Sequence, residues 1–155
     1  LSKQGFKVVI CGGPTTLEKE LAESIISQCK SPLHNLVGQT SLKQLLAVLK
    51  LAHLVIAPDT GPAHMAVTVG TPVIGLYAHS NPQRTGPYFN LQYVVSCYQE
   101  AIQKQYKKPI SKLPWGIRAK GDNLMNAINV TQVKGEIHHL ITDHSLKVEK
   151  NENNY

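Results

Sequence analysis

Carboxylates are scarce through the middle of this sequence: residues 24–99 contain a single one, Asp59. A chain with so few acids there has no solvated acidic face in that region and no pair of carboxylates to cage a hard cation. Cysteine is equally sparse. Cys11, Cys29 and Cys97 are odd in number, far apart and lack any C-x-x-C spacing, which excludes a disulfide framework and a structural zinc site and fits a reducing compartment. No apolar run reaches the roughly 18 residues that cross a bilayer as a helix, and no basic start leads into an apolar stretch as in a secretory leader. The sequence therefore reads as a soluble, cytoplasmic protein. It opens on Leu1 with a strand-like run a few residues later, which suggests a part of something longer.

What is present is ordinary globular material. The 155 residues are 42% hydrophobic and 17% charged, with 11 Gly and 9 Pro, so low-complexity and collagen-like classes are excluded and the length suits one domain. Lys and Arg number 16 against 10 Asp and Glu, a net charge of +6. Six of those cations, Lys104, Lys107, Lys108, Lys112, Arg118 and Lys120, fall in one acid-free segment, and without it the charge balances. A uniformly basic coat for nucleic acid is thus excluded, and one local basic surface remains.

Apolar runs and helical stripes alternate along the chain. Lys7 to Cys11, Leu36 to Gly38, His53 to Ala57, Val73 to Tyr77 and Leu91 to Ser96 read as strands. Helices are expected from Thr15 or Thr16 with a Leu17, Leu21, Ile25 stripe, from Ser41 with Leu42, Leu45, Leu46 and Leu49 as core, from Pro62 to Gly70, near Gln99 to Tyr106, and from Thr131 to Ile141 with Val133, Ile137, Leu140 and Ile141 on one face. The strands are continuous apolar runs, the pattern of a parallel sheet with helices on both faces. Residues 1–142 would form this domain and 143–155 a polar tail. Ligands of such sheets bind beyond the carboxyl ends of the strands.

Two loops at those ends carry chemistry. In Asp59-Thr60-Gly61-Pro62-Ala63-His64, Pro62 suits a first helical turn and Gly61 admits close approach of a ligand to the backbone. The helix start would then hold an anion such as a phosphate, with Asp59 and Thr60 at its mouth and His64 one turn inside. The plainer reading is that Asp59 or Thr60 only caps the helix and His64 packs beneath the loop. The second loop, Ala78 to Tyr88, brings Arg84 as a further assisting group, and two polar loops at adjacent strand ends make a cleft.

Taken together, Gly12-Gly13-Pro14, Asp59-Thr60-Gly61-Pro62-x-His64, Gly70-Thr71-Pro72, Asn81-Pro82-x-x-Thr85-Gly86-Pro87 and the late Asp122 to Ile128 segment resemble the C-terminal domain of the heptosyltransferases, glycosyltransferase family 9, over residues 5–142. The resemblance implies the C-terminal, Rossmann-like half of a GT-B enzyme that holds a nucleotide-sugar donor, here an ADP-heptose, and serves lipopolysaccharide inner-core synthesis. It implies that the backbone at Thr60, Gly61 and Pro62 receives the diphosphate, that Asp59 lies near the donor sugar, and that His64 supports the loop or the phosphates. It also implies that Gly13 belongs to the donor site, that Thr40 lines the adenine pocket, and that Glu18 or Glu20 reaches the ribose, although Thr15 and Thr16 stand where the family often has an acid. The reaction would be inverting and metal-independent, with no cofactor beyond the ADP-sugar substrate. Its general base and acceptor site would lie in an N-terminal domain outside this chain, so the chain alone would be inactive.

The partners expected are the donor, a lipid-linked saccharide acceptor, that N-terminal domain and, through the basic segment, the cytoplasmic face of the inner membrane. No nucleic acid is expected. Two other readings compete: a non-catalytic module binding nucleic acid or acidic lipid through residues 104–120, and half of a nucleotide-sugar epimerase. Elsewhere the bland readings prevail. His138, His139 and His144 point to different helix faces rather than to one metal, His53 is structural, Cys97 is a small hydrophobe, and Trp115 anchors the basic segment onto the domain.

Overall fold

The computed structural model describes residues 1–2 and 5–146, in two compact units, 1–45 and 46–146. In the first unit, β1 (Val9–Ile10) and β2 (His34–Asn35) pair in parallel. The ladder continues past the strands, with Leu36 N donating to Ile10 O at 2.8 Å and Gly38 N to Gly12 O at 3.0 Å. The second strand thus falls two residues earlier than its apolar run suggested, because residues 37–39 already turn. Between the strands lies α1 (Thr16–Gln28), whose N-cap Thr15 accepts from Glu18 N at 3.3 Å. Its expected apolar stripe is not buried: Leu17 is 65% exposed, Leu21 55% and Ile25 48%, while Ala22 is the covered position. So small a unit offers little apolar surface to cover a full helix stripe.

α2 (Leu42–Leu51) is started by Ser41 and Gln44, each side chain bonded to the other's backbone amide. Of its predicted core stripe only Leu49 is fully buried, Leu45 and Leu46 are half-buried, and Leu42 is 75% exposed.

The second unit holds a three-stranded parallel sheet in the order β3 (Val55–Pro58), β4 (Val73–Tyr77), β5 (Val95–Ser96). Val55 pairs with Val73 and Leu76 with Val95. Between β3 and β4 runs α3 (Gly61–Thr68), which ends where Gly70 takes φ +80° and Thr71 N donates back to Ala66 O at 3.0 Å. That left-handed exit favours glycine. The hydroxyl of Thr71 donates to Leu49 O at 2.7 Å, so the loop entering β4 is pinned while buried.

Three expectations are corrected here. The sequence from Ala78 to Tyr88 is not all loop, because Asn81 accepts from Gln83 N and Pro82 pre-sets a one-turn helix, α4 (Pro82–Thr85). Residues 91–93 form a 3₁₀ turn before β5 rather than strand, and His53 precedes β3 instead of starting it. The helix α5 (Tyr98–Tyr106) lies close to its expected extent, and α6 (Val130–Asp143) follows its expected stripe. α6 opens with a full capping box between Asn129 and Gln132 and packs Ile137 and Leu140 on Ile74, Tyr93 and Val95. Burying residues of this size contributes roughly 1.5–3 kcal/mol each. The polar stretch 143–155 lies mostly outside the described residues. Asp143 ends α6 and accepts a 2.7 Å hydrogen bond from the buried Tyr93 hydroxyl.

The basic segment is held down by Ala119, Tyr98 and Ile102, not by Trp115, which is 63% exposed. The Tyr98 hydroxyl donates to Ile117 O at 2.8 Å, and Ala119 N donates to His79 O at 2.8 Å. Backbone pairing at Ala119, the Tyr98 hydroxyl and the buried Ala119, Tyr98 and Ile102 side chains thus anchor what the lone indole was expected to anchor. Cys97 is half-buried with its thiol on Leu124 O, and burial pushes its pKa up. Burial of this kind disfavours the thiolate, the nucleophilic form.

Candidate functional site

The Asp59 to His64 loop leaves the carboxyl end of β3 and opens α3, as the alternation of apolar strand and turn predicted. Thr60 sits in extended conformation as N-cap, yet its hydroxyl makes no cap bond and donates to Pro58 O at 3.2 Å instead. The capping reading of Thr60 therefore fails: no side-chain bond from Thr60 caps the first turn of α3, whose Ala63 amide donates to Thr60 O at 3.1 Å. Around Gly61 there is open space: an added Cβ would meet nothing within 4 Å. Pro62 occupies the first turn, where a missing N–H costs nothing. A helix start of this kind favours an anion through aligned N–H groups and the helix dipole.

Asp59 is the charged group beside that start. Its Oδ2 accepts from the Thr85 hydroxyl at 3.0 Å, and its Oδ1 lies 3.9 Å from His64 Nε2. His64 remains about half exposed while Asp59 is mostly covered. Thr85 is itself fixed, because its carbonyl accepts from the Tyr77 hydroxyl at 2.7 Å. Tyr77 is fully buried, and burial, with a further push from the Asp59 charge, raises its pKa to about 12. Room for its ring comes from Gly75, where a Cβ would stand 2.7 Å from Tyr77 Cε2.

The structure thus brings Asp59, Thr60, Gly61, Pro62 and His64 together in the second unit and adds Thr85 and Tyr77, to which the sequence reading gave no role. Thr85 was visible in the Asn81-Pro82-x-x-Thr85-Gly86-Pro87 motif, whereas a buried tyrosine in an apolar strand gave no signal. Arg84 stands in the same one-turn helix but is exposed, with its guanidinium over Gly116, where an added Cβ would meet Nη1 at 2.8 Å.

Gly13, Glu20 and Thr40 belong to the first unit. There the Gly13 amide is already engaged, donating to Glu18 Oε1 at 2.8 Å, and Thr15 Oγ1 donates to Glu18 Oε2 at 2.5 Å. These bonds hold the Glu18 carboxyl below its ordinary pKa. Glu18 is thereby committed to closing the Gly12-Gly13-Pro14 turn, while Glu20 stands exposed on α1 and Thr40 half-buried just ahead of α2.

The sequence profile of glycosyltransferase family 9 (heptosyltransferase) matches residues 1–115. The chain belongs to that family. It is 48% identical over 135 residues to the lipopolysaccharide core heptosyltransferase OpsX of Haemophilus influenzae, covering 87% of this chain and 39% of that protein. It is also 29% identical to lipopolysaccharide heptosyltransferase 3 of Escherichia coli K12, over 74% of this chain and 35% of the relative. Among solved structures, the family 9 glycosyltransferase of Veillonella parvula superposes with a TM-score of 0.66 at 25% identity, over 91% of this chain and 38% of that one. The ADP-heptose lipopolysaccharide heptosyltransferase II of E. coli gives 0.66 at 18% identity, a likeness of fold. The α/β, GT-B-type fold expected from the motifs is the fold of this family 9 chain. The chain spans about 39% of the length of the curated relative it matches best in sequence among those named here. No helix among the described residues is long and apolar enough to cross a membrane.

Proposed function

We propose that this chain forms the nucleotide-sugar-binding part of an inverting, metal-independent heptosyltransferase that transfers heptose from ADP-heptose to the lipopolysaccharide inner core. The observation that carries this reading is the bare start of α3, with no side-chain cap from Thr60, open space at Gly61 and Asp59 held beside it. When the anomeric C–O bond breaks, negative charge accumulates on the departing diphosphate. Aligned amides at a helix start stabilise that charge more as it grows, which lowers the barrier instead of merely tightening ground-state binding. Asp59 would sit toward the donor sugar and its phosphate, and His64 would steady the loop or the phosphates. Thr40 and Glu20 are proposed toward adenine and ribose, Gly13 as a further donor-binding residue, and Arg84 as an assisting cation.

Metal independence is supported by the poverty of carboxylates, since Asp59 alone over residues 24–99 supplies too few oxygens for a hard cation. Inversion needs a base on the face of the sugar opposite the leaving group, and the reading assigns that base, with the acceptor site, to the remainder of a longer protein. Relatives named as lipopolysaccharide heptosyltransferases support the sugar and acceptor class. In this proposal the protein works in the cytoplasm, at the inner membrane face, and the chain by itself transfers nothing. The test is calorimetry of the folded chain with ADP, expected to show binding unaffected by EDTA. Absence of binding at millimolar ADP would overturn it.

A further inference from the structure

A concavity beside α4 has a volume of about 660 Å³. That is within the roughly 300–1,000 Å³ range of small-molecule sites. Its walls come from α4, from the start of α5 and from residues 110–115, and the groups facing it include Asn81, Gln83, Gln99, Glu100 and Trp115. The Trp115 wall is built rather than loose. Asn81 Nδ2 donates to Trp115 O at 3.4 Å, Tyr98 donates to Ile117 O, and Arg84 lies over Gly116. The exposed indole is therefore presented by a backbone held by two hydrogen bonds, with Arg84 beside Gly116.

The chemistry of this lining is distinctive. A broad aromatic face with a polar tip is apolar enough to cover the C–H face of a pyranose ring. Side-chain amides at Gln83 and Gln99 each combine donor and acceptor, the pairing that ring hydroxyls require, while the Asn81 amide is engaged by Gln83 N and Trp115 O. Charge decides between ligand classes: no Lys or Arg lines the groove, and its one ionisable group apart from the buried Tyr98 phenol is the Glu100 carboxylate. No lining side chain is a cation that would pair with a phosphate, whereas Glu100 can accept from hydroxyls. We propose that this groove binds an uncharged saccharide ring, independently of the nucleotide-sugar reading of the Asp59 loop. α4 would then contribute to both, with Thr85 bonded to Asp59 and Gln83 in the groove.

Trp115 is the only tryptophan, so its fluorescence reports on this groove. The chain is titrated with methyl glycosides of mannose, glucose and galactose and with mannose phosphate, and ADP binding is measured separately by calorimetry. A saturable, salt-insensitive fluorescence change with at least one neutral glycoside is expected, with mannose phosphate weaker. Gln99→Ala should weaken that glycoside about fivefold, the loss of one hydrogen bond, and leave ADP binding unchanged. No saturable change with any neutral glycoside overturns the proposal, as does tighter, salt-sensitive binding of the phosphate or indifference to Gln99→Ala. Glycoside binding without ADP binding keeps the saccharide site and removes the nucleotide-sugar reading. ADP binding without glycoside binding does the reverse.

Discussion

The Thr85 hydroxyl donates to the Asp59 carboxylate at 3.0 Å across 26 residues of chain. It lies farther, 3.3 Å, from Asn81 O, and with one proton to give it is best placed for the carboxylate. Thr85→Val keeps the shape and removes that donor. Asp59 would lose its orientation, and binding of an ADP-sugar should weaken about fivefold, the value of one ordinary hydrogen bond, while Thr85→Ser restores it. Calorimetry with the three proteins measures this, and equal affinities for all would show that Thr85 does not position Asp59.

Direct removal of the carboxylate should act selectively. In Asp59→Ala, the contact proposed toward the sugar and its phosphate disappears while the adenosine end is untouched. Affinity for ADP-sugar should fall more than affinity for adenosine. Parallel titrations with the two ligands give the ratio, and a uniform loss would point to a collapsed loop instead.

Behind Thr85, the Tyr77 phenol makes stability depend on alkaline pH. Burial and the Asp59 charge raise its pKa from 10.0 to about 12. Between those values the unfolded chain has released the proton and the folded chain has kept it, so the unfolded state binds fewer protons and stability falls as pH rises. The contribution is intact below pH 10 and lost through about 12. Urea midpoints measured across that window should drop for the parent and drop less for Tyr77→Phe. An identical slope in the two proteins would rule out Tyr77 as the source.

Much of this arrangement could be read from the residues, and the parts that could not share a cause. The Asp59 loop, the exit at Gly70 and the α6 stripe are local signals: a turn chemistry, a left-handed glycine, a helical period. What escaped depends on partners distant in sequence. Tyr77 meeting Thr85, Thr85 meeting Asp59, and Glu18 folding back on Gly13 are contacts whose residues look unremarkable until the chain brings them together. Trp115 misled because an aromatic residue in a polar stretch suggests an anchor, whereas the anchoring is done by Ala119 and by backbone pairing that leaves no mark in composition. The α1 stripe misled in the opposite sense. Its period is correct for a helix, but period fixes which side is apolar and not whether anything covers it.

That last distinction sets up a paired measurement. Leu140 on α6 is fully buried and Leu17 on α1 is 65% exposed, although both stand on helical apolar stripes. Truncating a buried leucine removes transfer energy and leaves a cavity, at a cost of about 2–5 kcal/mol. Truncating an exposed one normally changes stability by about 0.5 kcal/mol or less. Leu140→Ala should therefore shift the denaturation midpoint strongly and Leu17→Ala barely, as read by urea titration with circular dichroism. A large loss in Leu17→Ala would mean that the α1 stripe is covered in solution.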